Sequence, residues 1–189
     1  TAVYEPGSVN KVITVAGAVK RDSVLTLVKH YFSAIPRGPA ITAINPTRPK
    51  MSRDTALVLE DRVQAAQLEY AFPTVKAWDP DDAALQVARM ILTGSKNARL
   101  TKRLVYDEQS ATTVRASAGS SRYDGDFSIV ARPKPGKPIG PVQRAVDEEL
   151  RRLGEAPPTA REMEQAKNSL EAAFLRSTQT VGGKADRLN

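Results

Sequence analysis

Apolar and polar residues follow their clearest pattern between residues 79 and 131, where they predict two helices and then two strands. Asp79 can accept hydrogen bonds from the unpaired amides of a first helical turn, and apolar residues then recur every three or four positions. Gly94 can end this helix in a left-handed conformation. Leu100 and Leu104 lie four positions apart, so they share one side of a second, shorter helix.

Short runs of β-branched and aromatic residues, bounded by turn residues, predict the strands of the chain. In one of these runs Leu68, Tyr70 and Phe72 alternate with other residues and therefore share one face, and Pro73 closes the run. Adjacent strands without a helix between them imply antiparallel pairs. The predicted strands are Val12 to Ala16, Thr55 to Glu60, Gln67 to Phe72, Thr112 to Ala118 and Asp126 to Ala131.

Three more helices are predicted from apolar stripes at helical spacing. Thr159 and Glu162 form a capping box, which marks the start of a long helix. Trp78, the only tryptophan, is expected to pack on the apolar side of the helix that Asp79 begins. The stripes run from Val24 to Ile35, from Val142 to Leu153 and from Met163 to Phe174.

The order of these elements predicts the fold class. Strands and helices alternate in groups, which favours an α+β fold with helices layered on one face of a sheet. We expect a mixed, mostly antiparallel sheet of about five to six strands. At 189 residues the chain is long enough for one domain with a substantial core, so residues 1–189 are expected to form a single domain.

The charge and hydropathy of the chain limit the classes of partner that it can bind. The chain has 28 basic and 21 acidic residues, a formal net charge of +7. The basic residues are spread along the sequence and aromatics make up 5%, so no base-stacking surface for nucleic acid is evident. No apolar run approaches the roughly 18 residues that span a bilayer, so we expect no membrane span.

The chemistry of the chain argues against a complete active site. A zinc hydrolase needs several nitrogen or oxygen ligands at one point, whereas this chain has one histidine, His30, and no cysteine. The acidic groups at Asp79 to Asp82 and Asp124 to Asp126 are typical of a helix start and a strand turn. No glycine-rich phosphate loop occurs. We therefore expect neither a catalytic residue nor a metal ligand in this chain.

Four segments, in order, resemble the insulinase and pitrilysin family of zinc metallopeptidases, which includes mitochondrial processing peptidase. The likeness extends over essentially the whole chain. The segments are Val-Ile-Thr-Val-Ala-Gly-Ala-Val (Val12 to Val19), Tyr-Phe-Ser-Ala-Ile-Pro-Arg-Gly (Tyr31 to Gly38), the Leu92 to Leu104 stretch with its Arg99-Leu100 pair, and the Pro158 to Lys167 start of the long helix.

The resemblance is to the second, C-terminal lobe of such peptidases. It implies a mitochondrial processing peptidase-like fold, a zinc motif in the other lobe, and no cofactor in this one. The implied partners are that zinc-binding lobe, in the same or another chain, and a peptide substrate. In some members the non-catalytic half supplies an arginine and a tyrosine to the active site. Arg99 occupies the arginine position and is our candidate substrate-binding residue, while the tyrosine position is Thr112.

Several interpretations remain open at this point. In the first interpretation the chain is a lobe excised from a larger peptidase, and this lobe closes the chamber and contacts substrate. In the second it is a peptidase-like domain retained for protein assembly. In the third it is a basic nucleic-acid-binding module. Arg99 either faces the chamber or joins Lys102 and Arg103 on a solvated basic face. Our hypothesis for the location is a bacterial periplasm.

Overall fold

A computed structural model describes residues 21–36, 38–39, 42, 52–63 and 65–188 of the protein. The predicted strand from Val12 to Ala16 lies outside these residues. The chain divides into two compact units, one of Thr1–Ile44 with Glu171–Asn189 and one of Asn45–Leu170. The single domain expected over residues 1–189 stays a prediction.

The described residues form helices and strands close to the predicted places. Between the second helix and the second strand lies a π-helix, Thr101–Asp107, where the second, shorter helix was predicted. The other helices are α1 (Arg21–Phe32), α2 (Pro80–Thr93), α3 (Ile139–Glu155), α4 (Ala160–Ser177) and α5 (Val181–Leu188). The strands are β1 (Leu68–Thr74), β2 (Ala111–Ser120) and β3 (Gly125–Pro133).

The described strands form one antiparallel sheet in the order β1-β3-β2. The expectation of five to six strands is therefore wrong for this part of the chain, which has three. The predicted strand from Thr55 to Glu60 does not form, and Leu57, Val58 and Leu59 are 78%, 84% and 81% exposed. A β-branched, apolar run becomes a strand only where it finds a neighbouring strand and a buried face, and among the described residues this run has neither.

One face of the sheet carries the core of the second unit. Phe127, Ile129 and Ala131 alternate along β3, and each is at most 6% exposed. They pack in one cluster with buried residues of α2, the π-helix and α3, so these helices lie on the same face of the sheet. The fully buried large side chains are Leu92, Leu100, Leu104, Ile129, Val142 and Val146.

Strand β1 extends through Pro73 to Thr74, two residues beyond the predicted end. Proline cannot donate a ladder hydrogen bond, but β1 lies at the edge of the described sheet and pairs only with β3 on one side. Leu68 and Tyr70 of β1 pack against the core, as their alternation predicted. Phe72, on the same face, is 41% exposed and stacks against Tyr70 with ring centroids 6.2 Å apart.

The two ends of α2 differ in how well they were predicted. The Asp79 carboxylate accepts a hydrogen bond from the Asp81 amide at 3.1 Å, which confirms the predicted N-cap. Gly94 ends the helix in a right-handed conformation at φ −70°, so the expected left-handed end is wrong. Trp78 is 99% exposed, and its left-handed backbone at φ 68° leaves the indole in solvent. Its expected packing on α2 is therefore also wrong.

Helix α1 of the first unit ends at Phe32, before the predicted boundary at Pro36. Its expected apolar stripe is only partly buried, because Leu27 and Tyr31 are 55% and 67% exposed. In α5, Ala185 is buried. This unit provides no buried charged side chain among its described residues, so the candidate site is sought in the second unit.

Candidate functional site

Arg99 lies just before the π-helix, and packing fixes the backbone on both sides of this residue. Its neighbours Ala98 and Leu100 are 6% and 0% exposed. The Ala98 amide donates to the Ser95 carbonyl at 3.1 Å, and the Ala98 carbonyl accepts from the Lys102 amide at 2.8 Å. Because both neighbours are anchored in the core, the Arg99 side chain starts from a well-defined position. Short π-helical segments of this kind are frequent at functional sites.

The Arg99 guanidinium forms a forked ion pair with Glu162. Its Nε donates to Glu162 Oε1 at 2.6 Å, and its Nη2 donates to Oε2 at 2.9 Å. The two side chains are 18% and 27% exposed, so the pair is only partly accessible to water. Two parallel charge-assisted hydrogen bonds fix the guanidinium in angle as well as distance.

Glu162 also completes the capping box of α4. The Thr159 amide donates to Glu162 Oε2 at 2.8 Å, and the Glu162 amide donates to Thr159 Oγ1 at 3.2 Å, which confirms the predicted helix start. Hydrogen bonds from Arg99, followed by those from Thr159, lower the pKa of Glu162 to about 2, although partial burial opposes them. The same ion pair raises the pKa of Arg99.

The second role of Glu162 was not predicted from the sequence. Its capping-box position accounted for the residue fully, and its partner Arg99 lies 63 positions away. The only signal in the sequence for this pairing was that Arg99 and Glu162 carry opposite charges. Since many acidic residues could have met Arg99, that signal identifies no particular partner.

A small pocket lies beside this ion pair. Its volume is about 280 Å³, including the part that is open to solvent. Buried Ile91, Ala98 and Ala166 contribute apolar surface, while Glu162 and a hydrogen bond from Gln165 Nε2 to Ser95 Oγ at 2.9 Å make the remaining wall polar. The remaining lining residues are Met90, Gly94, Asn97 and Ser169. The wall of this pocket is therefore partly apolar and partly polar.

The neighbouring cations do not form one solvated basic face with Arg99. Arg103 donates to Glu108 and Glu148 at 2.6 Å each and to Glu149 at 3.3 Å. Its hydrogen bonds to Glu108 and Glu148 raise its pKa. The Glu149 side chain is 4% exposed and also accepts from Arg152. Only Lys102 is well exposed, and its nearest carboxylate is 3.9 Å away. Arg103 therefore has a structural role at the junction of the π-helix and α3.

The other residues that the sequence analysis considered as candidates do not belong to the Arg99–Glu162 ion pair. Thr112 is exposed on β2 at an irregularity of the β2–β3 register, between Ala111 and Thr113. His30 lies in α1 of the first unit. Across the described ranges, no group of three or more His, Cys, Asp or Glu side chains could hold a metal ion. The described residues therefore provide no donor set for zinc, which the resemblance assigns to the other lobe.

In the part of the chain that the structure describes, no helix combines the length and apolar character that crossing a bilayer requires.

A family model described as "Peptidase M16 inactive domain" matches residues 3–170. A comparison with curated proteins found no match. The fold is similar to that of a protease from Helicobacter pylori, with a TM-score of 0.75 and 20% identity, over 90% of this chain and 43% of that one.

Two further solved structures resemble the chain. One is a peptidase M16 inactive domain from Pseudomonas fluorescens, with a TM-score of 0.58 and 21% identity, over 65% of this chain and 29% of that one. The other is Complex III2 from Candida albicans with Inz-5 bound, with a TM-score of 0.59 and 14% identity, over 68% of this chain and 33% of that one. The chain thus spans less than half the length of each.

Proposed function

This chain belongs to the peptidase M16 family as one of its inactive domains, and on that premise we propose that it is the non-catalytic lobe of a zinc-dependent peptidase. The lobe pairs with a zinc-binding lobe, closes the chamber between them and contacts the peptide substrate. The observation that carries the proposal is the family match over residues 3–170, in a chain whose described residues offer no donor set for zinc.

The similarity to the Helicobacter pylori protease supports the proposal that the longer parent protein of this chain is an active peptidase. That structure covers 90% of this chain, whereas this chain covers 43% of it, which leaves room for a lobe of comparable size. A zinc peptidase needs its metal ligands at one point and a second surface that excludes water and positions the peptide. The zinc would be held by the partner lobe, and this lobe would supply the second surface.

Arg99 is the residue that we propose for contact with substrate. Its guanidinium is held by Glu162, which lines the small pocket, so it offers donors in a fixed orientation. Such donors can hold a peptide in the geometry required for hydrolysis. Because Thr112 takes the place of the usual tyrosine, Arg99 would act without an aromatic partner from that position.

A second candidate function is protein assembly without catalysis. The similarity to a chain of Complex III2 from Candida albicans favours it, because this fold is then present in a multi-protein complex. In that case the partner lobe would also lack a zinc site, and Arg99 would contribute only to the stability of the fold.

Experiments on the full-length parent protein distinguish the two candidate functions. We would identify the gene segment that encodes the other lobe, express it with residues 1–189, and measure bound zinc by elemental analysis and hydrolysis of quenched fluorescent peptides. Peptidase activity requires both lobes and stops with a chelator if the first candidate is correct. A partner lobe without a His-x-x-Glu-His motif, or a complex that binds no zinc, favours assembly.

The role of Arg99 is tested in the same full-length protein. Arg99→Ala and Arg99→Lys are expected to lower kcat/KM at least tenfold, about 1.4 kcal/mol of lost transition-state stabilisation, because lysine cannot reproduce the forked geometry. Lys102→Ala is the matched control, since Lys102 is a nearby exposed cation. Unchanged kcat/KM in both Arg99 variants would exclude substrate contact through this residue.

A further inference from the structure

Strand β2 has a strand neighbour on one side only among the described residues, so its other edge carries backbone groups that β3 does not use. In an antiparallel pair, alternate residues direct their N–H and C=O groups away from the partner strand. Such groups can bind a strand of another molecule, and exposed edge strands therefore promote self-association. Ala116 and Ala118 are two residues of this kind, because the Ala116 amide and the Ala118 carbonyl bind α2 instead of β3.

Two side chains of α2 occupy this edge. The Ala116 amide donates to Thr93 Oγ1 at 2.8 Å, and Gln86 Nε2 donates to the Ala118 carbonyl at 3.0 Å. Gln86 and Thr93 are seven positions apart, about two helical turns, so they lie on the same side of α2. Both side chains are partly buried, and Ala116 is 5% exposed. Water therefore has little access to the Ala116 amide, and the Thr93 hydroxyl is its partner.

Arg89, on the same side of α2, fixes the orientation of both side chains. Its Nε donates to Gln86 Oε1 at 2.7 Å, so the amide nitrogen of Gln86 faces the Ala118 carbonyl, which can only accept. The Thr93 hydroxyl donates to the Arg89 carbonyl at 3.3 Å, which leaves its oxygen to accept from the Ala116 amide. Each donor thus meets an acceptor, and an arriving strand would have to break both bonds to β2.

We propose that Gln86 and Thr93 close the β2 edge, so that a second copy of this chain cannot extend the sheet by pairing its own β2 there. An added strand would need the Ala116 N–H and the Ala118 C=O, and both are already bonded. The proposal is independent of the function proposed above, because it follows from contacts within the unit Asn45–Leu170.

Amide exchange measured by NMR in dilute protein tests the contact with Thr93. Thr93→Val keeps the branched shape and removes the hydroxyl, whereas Thr93→Ser keeps the hydroxyl. The Ala116 amide should exchange at least tenfold faster in Thr93→Val than in the unsubstituted protein, and within threefold of it in Thr93→Ser. The Ile129 amide, in the central strand, reports any general loss of stability. An Ala116 rate that Thr93→Val leaves unchanged relative to Ile129 would overturn the proposal.

Self-association is measured by sedimentation velocity over a hundredfold range of protein concentration. The double variant Gln86→Leu, Thr93→Val leaves both edge groups unpaired and should associate with a dissociation constant at least tenfold lower than that of the unsubstituted protein. Thr159→Ala is the matched control, since it weakens a helix start away from β2. Equal association of the double variant and the unsubstituted protein, or an equal increase in Thr159→Ala, would contradict edge closure. If the double variant does not fold, the two single variants are compared in the same way.

A spin label locates the contact between the copies. The chain has no cysteine, so a nitroxide attached through Ser117→Cys labels one position, on the exposed face of β2 between the two alanines. In a β2–β2 pair the two labels lie close together, because facing residues of paired strands are neighbours. Dipolar broadening of the spectrum is expected when the label is placed in the double variant, and none in the unsubstituted background. Association without broadening would place the contact elsewhere and refute the proposal.

Discussion

Replacing Glu162 by Gln should remove a contribution to stability that depends on pH. In the folded protein Arg99 and Thr159 lower the pKa of this carboxyl from 4.5 to about 2. A carboxyl whose pKa is lower in the folded state stabilises the fold fully above the unfolded value of 4.5. That stabilisation is lost as the pH falls from 4.5 through about 2, because in this range the unfolded chain binds a proton at Glu162 that the folded protein does not bind.

The magnitude follows from the same difference in pKa. A fall from 4.5 to about 2 corresponds to about 3 kcal/mol if the carboxyl were fully shielded from water. The Glu162 side chain is 27% exposed, so solvent and salt screen part of the interaction. We therefore expect Glu162→Gln to lower the free energy of unfolding by about 1 to 2 kcal/mol at pH 7.

The assay is urea denaturation of residues 1–189 followed by circular dichroism, at several pH values between 7 and about 2.5. The difference between the unsubstituted protein and Glu162→Gln should shrink below pH 4.5, since protonated Glu162 resembles glutamine. Glu164→Gln, which removes an exposed carboxylate from the same helix, is the matched control and should change stability by less than about 0.5 kcal/mol. A difference for Glu162→Gln that stays constant down to pH 2.5 would refute the ion-pair argument.

Three further substitutions test other parts of the fold by thermal or urea denaturation. Thr159→Ala should destabilise the protein by about 1 kcal/mol, because α4 loses its capping hydroxyl, and no loss would contradict the capping role. Gly125→Ala should cost about 2 kcal/mol or more, since an added Cβ would overlap the Val75 carbonyl oxygen, and a stable variant would show that this approach can relax. Tyr70→Phe should cost about 1 kcal/mol through the lost hydrogen bond to Asp147 at 2.6 Å; equal melting temperatures would argue against it.

The parts of the fold that were predicted correctly rest on contacts between residues close in sequence. The capping hydrogen bonds of Asp79 and of the Thr159–Glu162 box join residues two or three positions apart. Strands β2 and β3 are adjacent in the chain and alternate towards a common core. Such features can be inferred from spacing, because the backbone geometry that creates them is local.

The features that were not predicted depend on contacts across the fold. Residues 55–60 have the composition of a strand, but composition does not reveal whether a neighbouring strand is available. Trp78 has the right position for packing on α2, yet its left-handed backbone leaves the side chain in water. The pairing of Arg99 with Glu162 joins two segments that no periodicity relates. These outcomes are decided by tertiary geometry, which spacing along the chain does not specify.

The strand order β1-β3-β2 has a consequence for how the second unit folds. Only residues 121–124 separate β2 from β3, whereas α2 and the π-helix lie between β1 and its partner β3. Closing the short loop costs less chain entropy, so the β2–β3 hairpin is expected to belong to the folding nucleus and β1 to join after the transition state. Destabilising changes in β1 should then accelerate unfolding, whereas changes in the hairpin should slow refolding.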